Sequence, residues 1–182
     1  MTITPSSSIA EAQHDMREAY LDGGVGVLVS ATAWCVAGLV CLLRAPQAGV
    51  WALFIGGALI HPLSVLLLKA CRRSGAHASG NPMGTLAIAS TFWLILSLPL
   101  AYGVAVLRMD LFFPAMLFVI AGRYLVFSTI YGLRLYWVFG IALALAGYGL
   151  ALARATPAGA AFAGAAIEAV FGLALLAGAR KR

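Results

Sequence analysis

The chain has 182 residues, of which 63% are hydrophobic and 10% charged, with a formal net charge of +6. That is more apolar surface than one soluble core buries and less charge than a water-facing surface needs, so a soluble globular domain is excluded. The apolar residues gather in six runs of about 20, the length at which a helix crosses roughly 30 Å of hydrocarbon, and the basic residues lie between the runs rather than in a patch suited to nucleic acid.

Residues 1–8 are rich in Ser and Thr, and the start lacks a basic segment followed by an apolar one, so no cleavable signal peptide is expected. Ser8 and Glu11 have capping-box spacing, and Ile9, Ala12, Met16, Ala19 and Tyr20 share one side of a helix. Residues 1–22 are thus expected to form a tail with a short amphipathic helix lying on the membrane surface. Glu11, Asp15, Glu18 and Asp22 make an acidic stripe, either a solvated face or a latch onto the basic 69–73 loop or the 180–182 tail.

The spanning domain is predicted over 23–179, with helices at about 23–43, 49–68, 84–107, 111–132, 135–153 and 159–179. A bilayer satisfies backbone polar groups only in helices or closed barrels, and these runs lack the alternation of a barrel strand. The fold class is therefore all-α, a polytopic bundle of six transmembrane helices. Residues 111–153 are too long for one span and must turn near Tyr131-Gly132-Leu133-Arg134. Asn81-Pro82 is a helix start, with Asn as N-cap and Pro at the first position. Ala160, Gly164, Glu168 and Gly172 recur every four residues, a small-residue stripe that admits a neighbouring backbone and turns Glu168 toward protein.

An even number of spans puts both termini on one side. That side carries Arg17, Lys69, Arg72, Arg73, Arg134, Arg180, Lys181 and Arg182, against Arg44, Arg108 and Arg154 opposite, so both termini are expected in the cytoplasm. Trp51, Tyr136 and Trp137 at span ends are expected at the membrane interface. Cys35, Cys41 and Cys71 show no ligand spacing; no metal, cofactor or disulfide framework is expected.

Phe54-Ile55-Gly56-Gly57, His61-Pro62-Leu63, Gly80-Asn81-Pro82-Met83-Gly84-Thr85-Leu86, Gly122-Arg123-Tyr124-Leu125 and Tyr131-Gly132 form a set of motifs from the second span to the start of the fifth. With them the chain resembles a family of small bacterial multi-pass membrane proteins classed as a domain of unknown function. The resemblance implies a helical membrane fold in a bacterial inner membrane and no particular activity.

Candidate chemistry rests on the few polar groups at membrane depth, where a charge costs about 2.5 kcal/mol or more. Arg123 and Glu168 fall at similar depth, and pairing them is the economical solution. His61 lies at the same depth, on a face shared with Gly57 and Ser64, and completes an intramembrane polar cluster. Tyr124, Ser128 and Tyr131, with Ser64, are candidates for a polar path. Lys69, Arg72, Arg73 and Asn81 are candidates for a site for an anion or an anionic lipid headgroup. No nucleophile elbow, phosphate loop or zinc-helix signature is present, so no enzyme is expected. The leading expectation is movement of a small solute or ion through the His61, Arg123 and Glu168 cluster. The alternative is a structural or partner- and lipid-binding membrane protein in which the cluster only fixes packing.

Overall fold

The backbone of the computed structural model, described over residues 8–181, is helical with no strands among those residues. The Ser/Thr-rich residues 1–7 and Arg182 lie outside the described residues. A short helix α1 (Ile9–Tyr20) leads through a tight 3-10 turn (Leu21–Gly23) into α2 (Gly24–Leu43). There follow α3 (Pro46–Ala70), α4 (Pro82–Leu107), α5 (Phe112–Tyr131), α6 (Leu135–Leu152) and α7 (Pro157–Ala179). Six of the helical segments, counting α1 and α2 as one, are long and apolar enough to cross a membrane.

α3, α4 and α7 begin at Pro46, Pro82 and Pro157, two or three residues before the apolar runs. Proline at the first position sacrifices only an N–H that has no intrahelical partner. Asn81 accepts from the Met83 N–H (2.9 Å), as expected, and Thr156 from that of Gly159 (3.1 Å). Between α5 and α6 the chain reverses at Gly132 (φ +65), whose missing Cβ also makes room for the Gln13 side chain.

The spanning helices pack in the order α3, α2, α7, α6, α5, α4, with α5 also touching α7 across the middle. α3 and α4 are the edges of this arc and expose apolar faces, among them Leu66 and Leu67, and Phe92 and Trp93. The two edges meet at the end away from α1, where the rings of Trp51 and Phe54 lie 5.8 and 6.4 Å from that of Tyr102.

α1 differs from the expected surface helix. Ser8 and Glu11 do close the capping box, but Ala12, Met16 and Ala19 are buried against the bundle, so the apolar stripe is covered by protein. Gln13 donates to the Thr129 carbonyl (2.8 Å) and Arg17 to that of Tyr131 (2.6 Å), capping the last turn of α5. Glu11, Asp15 and Glu18 form no ion pair with Lys69, Arg72, Arg73 or Arg180 among the described residues. Instead Asp15 accepts from the Ala78 N–H (2.9 Å) and the Asn81 amide (2.7 Å), and Tyr20 shares a hydrogen bond with His77 Nδ1 (2.9 Å). The Ala78 N–H and the Asn81 amide are thus the groups that bind Asp15.

Tyr136 also departs from expectation. Trp51 and Trp137 are exposed at helix ends, but Tyr136 is fully buried, with its ring stacked on Tyr131 and its hydroxyl donating to the Asp22 carbonyl (2.7 Å). That carbonyl belongs to the α1–α2 turn, where Leu21, Asp22 and Gly23 all have positive φ. A tyrosine at a span end is free to sit at the interface only if no neighbouring element covers it.

A candidate site around Glu168

α7 places Glu168 where three helices converge. One turn away on either side, Gly164 and Gly172 let α7 approach α2 and α5: a Cβ on Gly164 would stand 2.9 Å from the Trp34 ring and 3.0 Å from Leu117, and one on Gly172 2.7 Å from Leu28. The small-residue stripe therefore does what its spacing predicted, and Glu168 is 0% exposed.

The Tyr124 hydroxyl of α5 donates to Glu168 Oε1 (3.0 Å). Buried Ser30 of α2 lies against the same carboxyl. Oε2 has no hydrogen-bond partner among the described residues. Sequence reasoning missed Ser30, whose only signal is a hydroxyl a few residues into the first span.

Aromatic rings fill the space from this carboxyl toward α1. Tyr124 stacks on Phe139 (4.0 Å between centroids), Phe139 on Phe171 (4.5 Å), and Tyr131 on Tyr136 (5.5 Å). Toward the other end Trp34, Phe113 and Phe112 pack edge to face or tilted. The expected polar path is thus a packed layer: Tyr124, Ser128 and Tyr131 are buried, and the Ser128 hydroxyl turns back to the Leu125 carbonyl (2.6 Å). Ser64 likewise bonds the Ile60 carbonyl of its own helix (2.5 Å).

Arg123 and Glu168 do not form the expected ion pair. No Arg123–Glu168 contact within 4.0 Å is found among the described residues, where the arginine that pairs with an acid is Arg108, with Asp110. The half-buried Arg123 instead lies over the Phe127 ring, 5.1 Å from its centroid, with Nη1 buried and unpartnered among the described residues. Adjacent residues of a helix point about 100° apart, and it is Tyr124 that α5 turns toward α7. His61 does not join the cluster either. It is exposed on the edge helix α3, although Ser64, one turn on, is buried.

At the α1 end, Lys69, Arg72 and Arg73 are exposed, but Asn81 does not share an anion site with them. It is buried, and both ends of its amide are engaged, Oδ1 in the cap of α4 and Nδ2 on the Ala12 carbonyl and Asp15. Among the described residues no group of three or more His, Cys, Asp or Glu is placed to hold a metal.

The chain matches a family of unknown function, DUF7010, over residues 9–178. It belongs to that family. The match runs from the start of α1 almost to the end of α7, wider than the motifs between the second and fifth spans. No curated protein and no solved structure matches the chain. Its chemistry therefore rests on its own geometry, and the separation of Arg123 from Glu168 is directly testable. In a double-mutant cycle measured by unfolding in detergent, Arg123→Met and Glu168→Leu should be additive within about 0.5 kcal/mol. A coupling above about 1 kcal/mol would restore the ion pair.

Proposed function

We propose that this protein moves a small solute or ion across a membrane and that Glu168 is the group that engages it. The observation that carries this reading is the state of the carboxyl: fully buried, bonded through one oxygen to Tyr124, and unpartnered at the other among the described residues. An ionisable group at such depth costs several kcal/mol and an unsatisfied buried acceptor roughly 1–3 kcal/mol more, which packing alone does not return. A carboxyl with one free oxygen is suited to exchange a proton or to hold a small cation. Arg123, with its own unpartnered Nη1, supplies a separate fixed charge on the next face of α5. The direct test is reconstitution into vesicles carrying an internal pH indicator, with proton or cation flux measured under an imposed gradient; flux no greater than in empty vesicles would defeat the proposal.

A second reading has one observation in its favour. The rings on either side of Glu168 are closely packed, as they would be if the carboxyl and Tyr124 only fixed how α5 and α7 meet. In that case the protein is a structural or partner-binding membrane component.

The same proposal sets the chain in a bacterial inner membrane with the α1 end in the cytoplasm. Arg17, Lys69, Arg72, Arg73, Arg134, Arg180 and Lys181 lie at that end, whereas Arg44, Arg108 and Arg154 lie at the other, where Arg108 is held by Asp110. In a background without native cysteines, Ser8→Cys and Ala76→Cys should resist an impermeant thiol reagent applied from outside, and Pro46→Cys should react. The opposite pattern would invert the topology.

A further inference from the structure

At the α1 end of the bundle, α2, the end of α3 and the end of α7 enclose a pocket of about 270 Å³, lined by Leu21, Val25, Cys71, Arg73, Leu176 and Arg180. Local structure explains each wall. α3 ends in a reversal in which the Arg72 N–H bonds the Lys69 carbonyl (3.0 Å) and the Arg73 N–H that of Leu68 (2.9 Å), with Arg72 itself at φ +59. This is the Schellman arrangement, with arginine where glycine is usual, and it carries Arg73 back to the pocket wall. Arg180 is the residue that caps α7. The floor exists because Gly24 lets α7 come close: a Cβ there would lie 2.9 Å from Leu176.

The lining is apolar below and doubly cationic at the rim, and among the described residues no acid contributes to it. Asp22, next to Leu21, is buried. Neither Arg73 nor Arg180 makes a side-chain hydrogen bond or ion pair among the described residues; the guanidinium groups that do are those of Arg17 and Arg108. Guanidinium forks match phosphate oxygens in geometry as well as in charge. Val25 and Leu176 stand in the first and last turns of membrane-length helices, so the apolar floor continues into the hydrocarbon, where a free anion would find nothing to contact.

The geometry points to a binding site for an anionic phospholipid, with Arg73 and Arg180 on its headgroup phosphate and Leu21, Val25 and Leu176 against the first carbons of its chains. The volume suits a headgroup rather than a whole lipid, which leaves the acyl tails in the bilayer. This site is independent of Glu168 and of any transport role.

Cys71 in the pocket wall is a built-in reporter. With Cys35 and Cys41 replaced by alanine, the full chain is placed in nanodiscs of phosphatidylcholine alone or with phosphatidylglycerol, and the rate of Cys71 modification by a neutral maleimide is measured. Phosphatidylglycerol should slow the reaction about fivefold, as expected of a headgroup held by two arginines. The double variant Arg73→Gln with Arg180→Gln should react at one rate in both discs, whereas Arg134→Gln, a basic residue of the same end outside the pocket, should keep the protection. Both arginines are exposed, so the variants should retain the wild-type melting temperature, which is checked alongside. Equal rates in the two discs for the wild type, or protection that survives the double variant, would overturn the proposal. Protection by inorganic phosphate in phosphatidylcholine discs alone would overturn the lipid as the occupant in favour of a free anion.

Discussion

Glu168→Gln should reduce flux by at least about tenfold while leaving a folded protein, because an intramembrane carboxyl that exchanges a proton or holds a cation has no substitute in a neutral amide. Glutamine is nearly isosteric, and its oxygen can still accept from the Tyr124 hydroxyl, 3.0 Å from Glu168 Oε1 in the wild type. Its NH₂ group brings new donors into a site lined by rings, so a stability loss of about 1–2 kcal/mol is expected, small beside the effect on flux. Tyr124→Phe is the companion variant: it removes the Tyr124 hydrogen bond to the carboxyl and leaves the ring stacked on Phe139. Flux is measured in vesicles at matched protein incorporation, and folding by gel filtration and thermal unfolding in detergent. Wild-type flux in Glu168→Gln would remove the carboxyl from the mechanism and favour the packing role.

The second large effect is structural. Gly164→Val should destabilise the bundle by about 1–3 kcal/mol or more, since its first carbon alone would stand 2.9 Å from Trp34 and 3.0 Å from Leu117. Both neighbours are almost completely buried, so neither has space to withdraw. For a domain of this size the loss corresponds to a fall of roughly 2–12 °C in melting temperature. Gly103→Val and Gly149→Val are the controls. Among the described residues nothing outside the local helix backbone lies within 4 Å of the Cβ position at either glycine, and valine there should leave the melting temperature nearly unchanged. Equal effects at Gly164 and Gly103 would mean that α7 does not pack against Trp34 as closely as described.

The contrast between these glycines shows where sequence ceases to inform. Spacing alone marks the four-residue stripe of α7, because Gly164, Glu168 and Gly172 must share one face of a helix and small residues gain nothing by facing lipid. It says nothing of Gly103, which belongs to the exposed edge helix α4. The same limit separates Arg123 from Glu168. Depth follows from counting 1.5 Å per residue, but the direction of a side chain around its helix axis depends on which neighbour the helix meets. α5 presents Tyr124 to α7 and leaves Arg123 lying over Phe127.

Legible along the chain are the six membrane-length helices, the capping box of Ser8 and Glu11, the start of α4 at Asn81-Pro82, the reversal at Gly132 and the inward face of Glu168. These depend on hydropathy, on local hydrogen bonds and on backbone freedom, each settled within a few residues of chain. The tertiary structure alone decided the rest. It put α3 at the edge of the arc and so exposed His61, and it covered Tyr136 with the α1–α2 turn. Asp15 and Asn81 came together across 66 positions of chain, and Ser30 came to lie beside a carboxyl 138 residues away. Helices that are apolar on every side carry little record of who their neighbours are, so the order in which they pack decides which polar groups meet.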